Sequence, residues 1–142
     1  VLVGLACGLS TPPINVTLSE SDVNRILQEA ADVAVGSDAP IEITSVDIQE
    51  GLIRVYGTYT WQGITVDGSA DMVLTVEDGN LYAEITSVNA QGINIEGDLI
   101  ERANEELTRR FTEAASQNER VTFTSVTIGG DEVTLSFRVN LD

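Results

Sequence analysis

The stretch Ile64-Thr-Val-Asp-Gly-Ser-Ala-Asp-Met-Val-Leu-Thr-Val76 decides how this chain of 142 residues is read. Ile64, Val66, Gly68, Ala70, Met72, Leu74 and Val76 fall on every second position with mostly polar residues between them, the period of a strand with one buried face. It is long for a strand, and its buried face is small in the middle, at Gly68 and Ala70, and bulky at both ends. Such a profile suits one wall of something wrapped around a partner.

Working outward, the preceding strand carries Ile53, Val55, Gly57, Tyr59 and Trp61 on one face, with Arg54, Thr58 and Thr60 on the other, and Gln62-Gly63 turns the chain between the two. Asp78-Gly79-Asn80 makes the next turn, into a strand with Leu81, Ala83 and Ile85 inward; Val88, Gly92, Ile93 and Ile95 then extend irregularly to Gly97. Upstream, Ile41 and Ile43 give way to Val46 and Ile48, a change of phase at Ser45 that predicts a bulge or sharp bend before the Glu50-Gly51 turn. Val121 and Phe123, then Val126 and Ile128, repeat that change around Ser125. After Gly129-Gly130, the residues Val133, Leu135, Phe137, Val139 and Leu141 form an alternating terminal strand.

Two helices precede these hairpins. Ser19-x-x-Asp22 reads as a capping box for a helix that buries Val23, Ile26, Leu27, Ala30, Ala31 and Ala34 and ends near Val35. Asp98-x-x-Glu101 plays the same part for a second helix with Ile100, Ala103, Leu107, Phe111 and Ala114 on its buried face.

At an offset of 80 residues, Asn24 meets Asn104, Leu27 meets Leu107, and Thr44-Ser45-Val46 meets Thr124-Ser125-Val126. A helix-strand-strand unit used twice accounts for this, and convergent patterning is the alternative. A third Ile-Thr-Ser-Val, at Ile85 to Val88, leads into no comparable hairpin and reads as coincidence. The fold class expected is α+β: two helices packed against and wrapped by a curved, roughly six-stranded antiparallel sheet, with a two-strand insert between the repeats. Residues 1–16 read as an apolar segment with a proline-containing tether, and residues 17–142 as a single domain.

Composition narrows the function. Seven arginines, no lysine and 23 acidic residues give a formal charge of −16, a field that repels nucleic acid and anionic headgroups. Histidine is absent, which removes the commonest general base and metal ligand. No Gly-x-Ser-x-Gly, phosphate loop or paired-carboxylate motif is present, so a non-enzymatic protein without cofactor or metal is expected, and an esterase-like enzyme is the reading with least support. The acidic turns Glu77-Asp78 and Asp131-Glu132 lack the ligand spacing of a calcium loop. Cys7 follows an apolar run with Ala6 and Gly8 beside it, which resembles a bacterial lipoprotein signal; the alternative is a small buried hydrophobe in an ordinary leader or apolar N-terminus.

The small residues Gly57, Gly68, Ala70 and Ala83 leave room either for a helix to approach or for a guest molecule. Tyr56, Tyr59 and Trp61 suit an amphipathic rim at a pocket mouth or membrane interface, or ordinary cross-strand packing. Thr17-Leu-Ser-Glu-Ser-Asp-Val-Asn24, the hairpin Ser45-Val-Asp-Ile-Gln-Glu-Gly-Leu-Ile-Arg-Val-Tyr-Gly57 and Val76-Glu-Asp-Gly-Asn-Leu81 resemble exported bacterial LmeA-like phospholipid-binding proteins, which are related to tubular lipid-binding (TULIP) proteins. That resemblance implies a long helix wrapped by a curved sheet, acyl chains in the groove between them, and no catalytic residues.

The leading reading is therefore an extracytoplasmic, membrane-tethered domain that holds a phospholipid or other acyl lipid. The lipid-lining set is Leu27, Ala30, Val55, Gly57, Tyr59, Trp61, Gly68, Ala70, Met72, Leu74, Ala83, Ile85, Leu107 and Phe111, with Cys7 as the lipidated anchor. The alternative is a structural or accessory subunit of a membrane complex, docking on a protein partner through sheet edges, Val133 to Leu141 above all, and through the N-terminal segment.

Overall fold

The computed structural model describes residues 12–35, 41–90, 97–117 and 119–140. Strand β1 (Ile14–Ser19) leads into helix α1 (Glu20–Val35). Strands β2 (Ile41–Gln49), β3 (Leu52–Trp61), β4 (Ile64–Glu77) and β5 (Asn80–Ala90) follow as a meander; α2 (Gly97–Ser116) then leads to the hairpin β6 (Val121–Gly129) and β7 (Glu132–Val139). The class is α+β, two helices against antiparallel sheet. The single six-stranded sheet is corrected, because seven strands among the described residues form two sheets, β2-β3-β4-β5 and β1-β7-β6.

The extra strand is β1. Ile14, Val16 and Leu18 alternate, and the segment pairs with β7 from Ile14↔Phe137 to Ser19↔Glu132, so residues assigned to the tether are part of the fold. Strand β7 is consequently flanked on both sides, by β1 and β6. The free terminal edge on which the accessory-subunit reading leaned is occupied, and Leu141 lies outside the described residues.

Local chemistry explains where the helices start. The Ser19 N–H donates to Asp22 Oδ2 at 3.0 Å and the Asp22 N–H donates to Ser19 Oγ at 3.2 Å, the reciprocal pair of a capping box. The Ser19 N–H, and the Ser19 hydroxyl donating to the same Oδ2 at 3.1 Å, hold the Asp22 carboxyl below its ordinary pKa. Helix α2 starts one residue earlier than the second proposed box allows, at Gly97, so Asp98 is not the cap; it sits in the first turn, where its charge favours the helix dipole.

Three bulges among the described residues shape the sheets. Register slips between Ile43 and Ser45 on β2 and between Phe123 and Ser125 on β6, at the two predicted changes of phase. The two hairpins share their pairing at the offset of 80, with Ile48↔Ile53 matching Ile128↔Val133 and Val46↔Val55 matching Val126↔Leu135. The third Ile-Thr-Ser-Val is no coincidence in structure. On β5, Ser87 pairs with Asp71 but Ile85 with Met72, leaving Thr86 over as Thr44 and Thr124 are left over in the other two. Thr44 Oγ1 donates to the Tyr56 carbonyl at 3.1 Å and Thr86 Oγ1 to the Asp71 carbonyl at 3.2 Å, so at these two bulges threonine reaches the partner strand. Each bulge bends its strand. The one at Thr86 also lets β5 run regularly to Ala90 where the sequence alternation breaks.

One end of the four-stranded sheet is closed by β6. The Gly51 N–H donates to the Ile128 carbonyl and the Phe123 N–H to the Gly79 carbonyl, both at 2.9 Å, so β6 lies across the β2–β3 and β4–β5 turns. Behind it the core is tightly filled by Val23, Ile26, Phe111, Val133 and Leu135, with Phe123 edge-on to Phe137 at 5.7 Å.

The helices cover the edges of this sheet. Gln28 of α1 acts as a surrogate strand for β2: its Nε2 donates to the Ile41 carbonyl at 2.9 Å and its Oε1 accepts the Ile43 N–H at 2.8 Å. On the opposite edge, α2 accepts the Ala83 N–H with Thr108 Oγ1 and the Ile85 N–H with Asn104 Oδ1, each at 2.9 Å. Arg110 of α2 reaches Glu29 of α1 at 3.1 Å and ties the helices together. Gln28→Ala strips two edge groups of their partner; urea denaturation should show a loss of about 1–3 kcal/mol, whereas Glu105→Ala, an exposed change on α2 away from either sheet edge, should cost about 0.5 kcal/mol or less.

Candidate functional site

Because α1 lies along β2 and α2 along β5, the central strands β3 and β4 are left with a concave face that neither helix fills. Rows of paired residues run across it. Ile43, Gly57, Gly68 and Ala90 form one row, and Val55, Ala70 and Val88 the next toward the closed end. Two glycines and two alanines thus neighbour one another in the middle of the sheet. Facing them are Leu27, Ala30 and Ala31 of α1 and Leu99, Ile100, Ala103 and Leu107 of α2.

The space between is a groove enclosing about 170 Å³, open on one side. Its wall is almost entirely carbon; Thr58, Tyr59 and Ser69 are the lining residues with polar side-chain atoms. Met72, Leu27 and Leu107, all buried, make its floor. Tyr59 and Val66, paired across β3 and β4, stand toward its mouth.

The two central glycines differ in what they allow. A Cβ on Gly57 would lie 2.6 Å from the Glu42 carbonyl oxygen, so this glycine admits the bulged backbone of β2. A Cβ on Gly68 would meet the Asn89 carbonyl oxygen at 3.2 Å and Ala90 at 3.5 Å, a tighter fit than usual without outright collision. Neither distance involves a helix.

The opposite face of the sheet is polar. Arg54 grips Asp71 through Nε to Oδ1 at 2.8 Å and Nη2 to Oδ2 at 3.2 Å, and Ser87 Oγ donates to the same carboxylate at 3.3 Å. The Arg54 bond holds the Asp71 carboxyl below its ordinary pKa, and the pair keeps that face charged and wet while the concave face stays apolar.

Of the residues proposed from sequence, Leu27, Ala30, Val55, Gly57, Tyr59, Gly68, Ala70, Met72, Ile85 and Leu107 are brought together around the groove. Leu74, Ala83 and Phe111 are not; they lie deeper, where β4 and β5 extend past the end of β3 and are sealed into the closed-end core. Trp61 ends β3, with its side chain outside the described residues, and Cys7 lies outside them altogether. Sequence reasoning missed Ile41, Ile43 and Val66 as lining, although their alternation carried the signal, and Val88 and Ala90, whose phase is hidden by the Thr86 bulge. Ile100 and Ala103 sat on the recognised helix face; Leu99 lies off it and gave no signal.

No helix among the described residues is long and apolar enough to cross a membrane, and no group of three or more metal-ligating side chains occurs among them. What the arrangement offers is an apolar groove between helices and a bulged sheet. The family model for LmeA-like phospholipid-binding proteins matches residues 14–138, and the chain belongs to that family. Comparison with curated proteins found no match.

The glycine geometry gives a stability contrast. Gly57→Ala should lower the unfolding free energy by about 1–3 kcal/mol, since backbone must move to admit the methyl group, and Gly68→Ala should cost distinctly less; chemical denaturation of the two variants side by side checks the order.

Proposed function

We propose that the chain is a non-enzymatic, extracytoplasmic lipid-binding domain that holds part of an acyl chain in the groove between α1, α2 and the concave face of β3 and β4. The observation that carries this reading is the carbon-walled groove over Gly57, Gly68, Ala70 and Val88 in a chain of the LmeA-like family. Each methylene moved from water into such a wall contributes about 0.8 kcal/mol, so even a short aliphatic segment is held usefully.

The volume sets how much is held. About 170 Å³ is slightly more than the roughly 150 Å³ cavity known to take up benzene, and below the roughly 300 Å³ at which pockets begin to enclose drug-sized ligands. The groove therefore fits the end of an acyl tail, with the rest of the lipid extending from the mouth. No residue is assigned a chemical step, in keeping with a binding family.

Tethering through Cys7 belongs to the same proposal, with the Pro12-Pro13 pair as a stiff start to the domain. In protein isolated from exporting cells, the N-terminal peptide should begin at a cysteine carrying diacylglycerol, as read by its mass; an unmodified Cys7 would remove the tether from the account.

Organic extracts of the purified protein should yield acyl lipid by mass spectrometry. Ala70→Phe places a ring in the middle of the groove and should reduce recovered lipid at least about tenfold while circular dichroism stays that of the parent. Undiminished lipid in that variant, or none in the parent, would count against this groove as the site.

A further inference from the structure

The groove has one closed end and one open end, and the apolar surface continues out of the open one. On β4 the inward face runs from Met72 through Ala70, Gly68 and Val66 to Ile64; on β3 it runs through Val55 and Gly57 to Tyr59, and the backbone of Trp61 pairs with Ile64 at the hairpin tip. Ile64 is 65% exposed and Val33, in the last turn of α1, 56%; no other large hydrophobic residue among those described is as exposed as either. Since Glu20 bonds to Ile48 and Gln28 to Ile41 and Ile43, α1 runs toward the open end, and Val33 comes out there with Ile64.

The hairpin that makes this tip is free of charge. Val55 to Val66 is a run of twelve residues without an acidic or basic side chain in a chain with 30 of them. The turn itself is tight, with Gln62 at φ 50° and Gly63 at φ 79°, the primed geometry that keeps the two strands paired to their ends. Exposed acidic residues flank the end, Asp67 on β4 and Asp98 and Glu101 at the start of α2.

We infer that the tip of the β3–β4 hairpin, with Ile64 leading and Val33 exposed at the same end, seats the mouth of the groove on a zwitterionic lipid surface. This rests on the lipid reading of the groove. A groove that takes in only part of a lipid leaves the remainder needing an apolar medium, and a mouth pressed into a bilayer lets the tail slide across without meeting water. The continuous face from Met72 to Ile64 is the path. The flanking carboxylates select against an anionic surface, and with no basic residue between Val55 and Val66 the docking is driven by apolar burial alone.

The test compares the full chain with Ile64→Asp and Val33→Asp in two assays: co-sedimentation with dioleoylphosphatidylcholine vesicles, and uptake of monomeric cis-parinaric acid from solution. Ile64→Asp should weaken vesicle binding at least about tenfold, Val33→Asp less, with parinaric acid uptake unchanged in both. Raising the salt concentration should leave the parent's binding to these vesicles intact, and phosphatidylglycerol vesicles should bind it more weakly. Trp61, the single tryptophan, should shift to the blue on vesicle binding and be quenched by brominated phosphatidylcholine. Vesicle binding equal to the parent's in both variants, or unquenched Trp61 emission from vesicle-bound protein, would overturn the docking surface while the groove reading stands. Loss of parinaric acid uptake along with vesicle binding in Ile64→Asp would also overturn it, since Ile64 would then belong to the groove. A parent chain that takes up no parinaric acid would overturn the groove reading and this inference with it.

Discussion

The hydrogen-bonding demand of two sheet edges organises this molecule. A four-stranded sheet with an apolar concave face needs helices to cover it, and its outer strands carry backbone groups that need partners. Gln28 meets that demand on β2, and Asn104 and Thr108 meet it on β5. Helices pinned at the edges cannot also settle over the middle. They touch each other above β3 and β4, joined by Arg110 and Glu29, and the groove is what remains beneath them. Its existence follows from where the polar side chains of the helices sit, and its width from Gly57, Gly68 and Ala70 below.

The bulges supply the curvature that this arrangement requires. Three threonines, Thr44, Thr86 and Thr124, each stand at a slip of register, two of them in strands that line the groove. Strand β6 then lies across the two hairpin turns and closes the sheet at one end only. A filled core at that end and an open mouth at the other are consequences of the same strand order. The bulges and pairing of β2–β3 and β6–β7 match at an offset of 80 residues.

Much of this was legible in the residues. The alternation of Ile64 to Val76, the Ser19–Asp22 cap, the phase changes at Ser45 and Ser125 and the small centre of β4 are local signals, and local geometry follows them. Ten of the fourteen proposed lining residues surround the groove because strand and helix periodicity sort side chains by face without knowledge of the fold. The depth along a strand was not legible. Leu74, Ala83 and Phe111 share faces with true lining residues, yet they fall under β6, whose crossing is a long-range event. Strand β1 was hidden because Ile14 to Val16, next to a proline pair, look like the end of a tether, and Thr17 to Ser19 like the opening of a helix, until β7 offers an edge to pair with. The edge role of Gln28 was invisible for the same reason, as a glutamine on a helix surface means little before the strand beside it is known.

The proposed occupant of the carbon-walled groove in this acidic member of a phospholipid-binding family is an aliphatic chain. Nuclear magnetic resonance with stearate spin-labelled near its methyl end tests that account at residue level. Broadening should centre on Gly68, Ala70, Val88 and Ala103 and spare Phe111 and Leu135 in the closed-end core. Broadening spread thinly over the surface, or absent from Gly68 and Ala70 at saturating stearate, would contradict it.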